Sequence, residues 1–339
     1  MRVSDRMTNR NYLKYLEKAK TRFAETNEKI ASGNRFVRVS DDVSAGTKVL
    51  RVRADMAKTD EYYDNVKTIN EELSTTEDAL MSIQETLSEA HKKLLNAMTS
   101  TTGESGRKAI ANEVSAMRDQ ILQFANTKYS TKFVLGGSTA ATAPFSADKN
   151  GNLLYNGINV NDIQKDDAGY FTTDAGGKRK PIPMDEDVFA DIGLGIRMKG
   201  SDIESDTAFK VSYSGLDVLG FGKDANGKPS NVFNILTDAV NKMREGDLDE
   251  LGKADERLLK FTDKFAANIT DIGAKTNFLD NVEKRITTSI DSYKNQVHTL
   301  MGINDAEEAT NQTMNDYVLK SVLRMGANVL PVSLMDFLR

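Results

Sequence analysis

"VKTINEELSTTEDALMSIQETLSEAHKKLLNA", Val66 to Ala97, decides the fold. Val66, Leu73, Leu80, Leu87 and Leu94 recur at every seventh residue, and Ile69, Thr76, Ile83, Ala90 and Ala97 follow each of them by three. Two seams of that kind, with polar residues filling the remaining positions, are the mark of a heptad helix. A longer series lies downstream: Leu251, Leu258, Phe265, Ile272, Leu279, Ile286, Tyr293 and Leu300. At about 1.5 Å per residue that helix is roughly 75 Å long. Its second seam turns polar near the middle, at Asn268 and Lys275. A two-stranded coil tolerates that poorly, so several helices are expected to share the stripe.

Between these arms the composition changes. Residues 1–135 hold four Gly and no Pro, residues 136–230 hold fourteen Gly and four Pro, and residues 231–339 return to five Gly and one Pro. Gly and Pro punctuate turns, so the middle third reads as short strands and loops. "NLLYNGINV", "FKVSYS" and "GLGIRMK" are strand candidates, and "DKNGN", "DAGGK" and "DANGK" are turns between them. A shorter helix, Gly106–Tyr129, shows Ile110, Val114, Met117, Ile121 and Phe124 on one face after the turn "TSTTGESG".

The expected class is mainly α with a β-rich insert. N- and C-terminal arms form a long antiparallel heptad bundle, with the β-rich outer domain at its far end and both termini together at the other. The boundaries read 1–40 for an N-terminal helix and joint, 41–135 and 231–303 for the two halves of the bundle, 136–230 for the outer domain and 304–339 for a C-terminal helix and tail. Val66, Leu73, Leu80, Leu87, Leu94, Leu258, Phe265, Ile272, Leu279 and Ile286 are its expected core.

Both ends are amphipathic. Leu16, Phe23 and Ile30 keep sevenfold spacing with Tyr12 and Ala19 beside them, and Met314, Val318, Val322, Met325 and Val329 share a helical face before "LPVSLMDFLR", where Pro331 stops the helix. "IASGNRFVRVSDDVSAG", Ile30–Gly46, separates the first end from the bundle: Gly33 closes a helix, "NRFVRV" runs extended, and Ser40 caps the next helix with Asp41 and Asp42 at its positive end. "GINDAEEATN" is the matching joint at the other end. Isolated helices of this length are marginal in water. The ends therefore either pair within the chain or, the sharper expectation, stay loose until an assembly buries Tyr12, Leu16, Phe23, Ile30, Val318, Val322, Met325, Val329 and Leu330.

Composition excludes much chemistry. There is no Cys and no Trp, and the two histidines, His91 and His298, sit singly in helical patterns and read as solvated. That leaves no zinc set, and "DLDELGKADE" lacks the loop spacing of a calcium site. The acidic stretches Lys165–Asp167 and Met184–Asp191 read as solvated loops rather than a catalytic carboxylate pair, and there is no His-Glu-x-x-His. No catalytic residue, metal or cofactor is expected. A net charge of −5 and a pI near 5.4 argue against nucleic acid. No run reaches the roughly 18 apolar residues of a membrane span. "MRVSDRMTNRNYLKYLEKAK" has no apolar signal core, so the chain is read as cytoplasmic or as exported by a route that removes no signal.

"MRVSDRM" and "IASGNRFVRVSDDVSAG", then "QFANTKYSTKFVLGGSTAATAPF" with its Ala-Asn-Thr and Pro-Phe, then "YNG" at Tyr155–Gly157, carry a resemblance. So do "DIGAKTNFLDNVEKRI" and "ANVLPVSLMDFLR". Together they resemble the flagellin superfamily, over about 1–160 and 231–339, and within it the branch that joins hook to filament. The Pro-Phe and "YNG" passages point to that branch, as does the lack of an Asn-Thr-Asn near the start; the closing Leu-Arg is similar to filament flagellins. The resemblance implies a structural protein of the bacterial flagellum whose terminal helices line an inner tube and whose bundle forms the next shell. It implies type III export without a cleaved signal. Its implied partners are copies of itself in a ring, the hook-side hook-associated protein, flagellin, and an export chaperone on the C-terminal arm. A filament flagellin and, from another class, a soluble coiled-coil adaptor are the alternatives.

Overall fold

The computed structural model describes residues 2–99, 102–137, 142–149, 151–166, 169–174, 176–182, 187–199, 202–203 and 207–329. Seven α-helices account for most of them: α1 Arg2–Ser32, α2 Val43–Met98, α3 Glu104–Ala125, α4 Gly215–Leu219, α5 Val232–Glu245, α6 Leu248–Met301 and α7 Asp305–Val329. Short antiparallel strands fill the interval from Lys128 to Asn231. The class is mainly α with a β-rich insert. The chain divides into two compact units, Met1–Asp60 with Thr287–Arg339, and Glu61–Ile286.

In the larger unit α2 and α6 run antiparallel. Met98 Sδ lies beside Gly252, His91 Nδ1 is 2.6 Å from Asp255 Oδ1, and Asn70 donates to Asp280 Oδ1 at 3.1 Å. Val66, Leu73, Leu80, Leu87 and Leu94 are buried, and so are Leu258, Phe265, Ile272, Leu279 and Ile286. Toward the α2 C-terminus two further helices join. α3 turns back along α2 with Lys93 Nζ 2.6 Å from Glu113, and α5 runs against α3, where Arg244 donates to Asn112 at 3.0 Å. Their apolar faces, including Val114, Ile121, Phe233, Leu236 and Val240, are buried.

At Lys275 the α6 seam is met by the insert instead of by another helix. Lys275 Nζ donates to Tyr213 Oη at 2.9 Å, Tyr213 Oη donates to Asp271 Oδ2 at 2.8 Å, and the rings of Phe209 and Phe278 stack at 6.0 Å. On α2, Glu71 accepts from Tyr129 and Glu72 pairs with Lys132, both at 2.6 Å. Lys275 therefore stands in a heptad stripe, and buried Glu72 beside one, without unpaired charge.

The insert is a set of small meanders: Phe145–Ala147, Leu153–Tyr155 and Ile158–Asn159 form one, and Ile163–Asp166, Gly169–Thr173 and Arg179–Pro181 another. Asn156 and Gly157, at φ 48 and 80, make the tight turn that the right-handed twist of a hairpin favours. "DKNGN", "DAGGK" and "DANGK" share one device. The amides of Asn152, Lys178 and Lys228 donate to the Oδ1 of Asp148, Asp174 and Asp224, at 2.7, 2.9 and 2.9 Å. The other strand candidates shrink: of "GLGIRMK" only Met198–Lys199 pairs, and of "FKVSYS" Phe209–Lys210 pairs as a strand and Ser214 as a lone bridge to Gly136. Gly193 and Gly195, at φ 81 and 79, turn the first of these out of extended backbone.

An asparagine cluster fastens the insert to α5. Asn231 caps the helix by accepting the Asn234 amide at 2.9 Å, and both side chains donate to Asn161 Oδ1 at 3.0 Å. Asn234 Oδ1 in turn accepts the Leu153 amide at 2.9 Å. Asn231 and Asn234 are buried, so each of these bonds satisfies a group that water cannot reach.

In the smaller unit α1 and α7 lie antiparallel: Tyr12 against Gly326, Thr26 accepting from Asn315 at 2.8 Å, and Asn27 accepting from Gln312 at 2.9 Å. The ends thus pair within the chain rather than hang loose. Gly33 does end α1 in the left-handed region, at φ 67. The rest of the joint departs from the expectation. Asp42, not Ser40, caps α2, accepting the Ala45 amide at 2.9 Å, while Ser40 donates to Asp41. "NRFVRV" is extended only at its start, because Asp41 Oδ2 takes the Arg38 amide and folds Arg38–Asp41 into a turn. The second joint is Gly302–Asn304 alone; "AEEAT" is already helix, its acidic side chains suited to the positive end of α7. The joints meet each other. Arg35 N donates to Met301 O at 2.6 Å and Ile303 N to Gly33 O at 3.2 Å, above a cluster of Phe36, Ala45, Val49 and Met301.

Candidate assembly surface

Side chains on α1 and α7 sort into a narrow seam and a wide outer face. Tyr12, Ala19 and Thr26, spaced by seven, face α7, and Ala19 and Thr26 are buried. Small and polar residues answer them: Gly326 leaves no room for a Cβ against the Tyr12 ring, and Asn315 and Gln312 make hydrogen bonds. The backbones come close, but the seam hides little apolar area. Since hydrophobic gain scales with area at about 25 cal/mol per Å², the pair leaves most of that gain unrealised.

Of the residues assigned to assembly, Tyr12, Leu16, Phe23, Ile30 and Val322 are half-buried, and Val318 and Met325 are exposed. Val329 ends α7 with its side chain outside the described residues, as is Leu330. The structure adds several residues that heptad spacing did not single out. Met7, Leu13 and Tyr15 on α1 and Tyr317 and Leu323 on α7 are exposed, Tyr317 to 71%. Tyr12, Tyr15, Val318, Val322 and Met325 edge an open groove of about 550 Å³ between the two helices, with Lys18 and Arg22 at its rim. Ala19, Thr26 and Gly326 were legible only as spacing, since small residues at a seam carry no hydrophobic signal.

No group of three or more His, Asp or Glu able to hold a metal occurs among the described residues, and none of the described helices is long and apolar enough to cross a membrane. The acidic runs are engaged locally. Asp166 pairs with Arg179 at 2.9 Å and Asp187 with Lys210 at 2.6 Å; Asp167, Asp185 and Glu186 lie outside the described residues. Within "DLDELGKADE", Asp247 accepts the Glu250 amide at the start of α6, and hydrogen bonds from Lys253 and Lys228 hold Glu250 down at about 2. His91 is not the solvated residue its pattern suggests, because it contacts buried Asp255 across the α2–α6 interface. His298 is exposed beside Gly302.

Residues 3–140 match the model of the bacterial flagellin N-terminal helical region. That arm is what the chain shares with bacterial flagellins. It is similar to the flagellar hook-associated protein 3 of Escherichia coli K12, 25% identical over 150 residues, which are 44% of this chain and 47% of that protein. The match thus spans about half the length of this curated relative. Among solved structures, a protein of Vibrio parahaemolyticus described as flagellar hook-associated superposes with a TM-score of 0.55 at 16% identity, over 77% of this chain and 100% of that one. Flagellar hook-associated protein 3 of Legionella pneumophila gives 0.51 at 14% identity, over 74% and 98%. Both likenesses are of fold: long helical arms around a β-rich insert.

Proposed function

We propose that the chain is a member of the flagellin superfamily and a structural component of the bacterial flagellum that joins hook to filament by self-assembly, without catalysis. The observation that carries the reading is the paired α1 and α7, which expose Met314, Tyr317 and Met325 to 67%, 71% and 61% on helices whose mutual seam is small and polar. The relationship to hook-associated protein 3 of E. coli supports the junction rather than the filament subunit. Residues 1–40 and 304–339 act as the assembly helices of an inner tube, 41–135 and 231–303 as the bundle, and 136–230 as the outer domain. Tyr12, Leu16, Phe23, Ile30, Val318, Val322, Met325, Val329 and Leu330 carry the contacts between copies in a ring. The hook-side hook-associated protein lies below and flagellin above. The protein leaves the cell by the flagellar type III route without a cleaved signal, its C-terminal arm held by an export chaperone until assembly.

The test is a strain lacking the gene. It should build hooks, make no attached filaments and shed monomeric flagellin into the medium, with filaments restored by the wild-type gene. Normal filaments in the deletion strain would refute the junction role.

A further inference from the structure

The hairpin of Gly220–Lys223 and Pro229–Asn231 stands over one face of α6, and a pocket of about 340 Å³ opens between them. From α6 come Arg257, Lys260, Phe261 and Lys264, at the i, i+3, i+4, i+7 spacing of a single helix face. Phe221 and Ser230 face them from the hairpin. The size lies at the small end of ordinary ligand pockets, and the lining has their character, an apolar floor with a few polar groups converging on it.

The charges do not cancel. Arg257 is committed, donating to Asp238 Oδ2 at 2.9 Å and to the Pro229 carbonyl at 3.4 Å. Asp217 is taken by Lys165 at 3.0 Å and by the Tyr170 hydroxyl. Asp224, at the pocket edge, spends Oδ1 on the amides of Asn226 and Lys228. Lys260 and Lys264, one helical turn apart, have no carboxylate within ion-pair distance among the described residues. Lys264 is half-buried with Nζ 5.8 Å from the Phe261 ring centre, and burial lowers its pKa, with Asp217 opposing the shift. Partly desolvating an ammonium costs free energy, which an anion joining it would offset.

We propose that this pocket binds a small organic carboxylate bearing an apolar ring, the carboxylate on Lys260 and Lys264 and the ring against Phe221 and Phe261. The proposal is independent of the junction role. The probe is benzoate, titrated into the full chain by calorimetry and by saturation-transfer NMR, with acetate and benzyl alcohol as companions lacking the ring and the charge.

Benzoate should saturate, with benzyl alcohol weaker by about tenfold or more for want of one charge-assisted contact, and acetate weaker by about as much for want of the ring's buried area. Lys264→Met should weaken benzoate by a similar factor while Lys264→Arg keeps most of the affinity. Lys260 is exposed, so Lys260→Met gives the same reading if the Lys264 variant does not fold. No saturation by benzoate, acetate binding as tightly as benzoate, or folded Lys→Met variants with unchanged affinity would each overturn the proposal.

Discussion

The Arg35 amide donates to the Met301 carbonyl at 2.6 Å, and by that bond the two joints of the chain meet. The end of α6 and the passage from α1 into α2 form one antiparallel bridge, Asn34 opposite Gly302. Gly302 is required there: a Cβ would lie 2.5 Å from the His298 carbonyl and 2.8 Å from its Nδ1. Gly302→Val should therefore open the bridge. Hydrogen exchange read by NMR should show the Arg35 and Ile303 amides exchanging at least about tenfold faster, a loss of roughly 1.4 kcal/mol in local opening free energy, with amides near Leu80 unchanged.

A second glycine is held by the backbone of the insert. A Cβ on Gly215 would lie 2.7 Å from the Leu135 carbonyl and would also strike the Phe145 ring. Phe145 is fully buried against Tyr155, ring centres 5.0 Å apart, so it has nowhere to move. Gly215→Ala should destabilise the larger unit by about 1–3 kcal/mol, read as a lower urea midpoint with an unchanged slope.

Tyr213 predicts an alkaline response. Burial, and then its hydrogen bond to Asp271, push its pKa far above the ordinary tyrosine value. Its folded pKa is thus raised above that of the unfolded chain, near 10. The stability this provides is complete below pH 10 and is lost as pH rises beyond it, because only the unfolded chain then gives up the proton. Chemical denaturation at pH 9 and pH 11 should show a smaller alkaline loss in Tyr213→Phe than in the wild type. An equal loss in both would reject this account of Tyr213.

Val318 and Met325 are exposed in the single chain, so replacing them by Asp should leave its melting temperature within about 2 °C. The same changes should abolish incorporation into flagella, since a carboxylate buried between copies goes unpaired. Phe23→Asp should behave likewise, with a somewhat larger effect on the single chain because Phe23 is half-buried. A motile strain with normal filaments carrying Val318→Asp or Phe23→Asp would refute the assigned surface.

Periodicity made the bundle legible. Leu73, Leu80, Leu87 and Leu94 announce their burial because a heptad stripe needs no knowledge of its partner. Turn chemistry was equally local, and Asn156-Gly157 and the three Asp-containing loops stand where their dipeptides place them. What stayed hidden depends on groups far apart in the chain. Lys275 looks like a flaw in a seam until Tyr213 arrives from the insert, and His91 looks solvated until Asp255 crosses from α6. Ser40 and Asp42 are both competent caps, and the turn closed by Asp41 decides between them. At the ends, the apolar stripe was visible but the seam was not, because Ala19, Thr26 and Gly326 pack by being small.

The central claim is a place, so the most direct measurement is immunogold labelling of intact flagella with an antibody to residues 160–230. The account predicts one cluster of gold where hook meets filament. Gold along the whole filament would make the protein a filament subunit and contradict the junction role; flagella without label would contradict the flagellar role altogether.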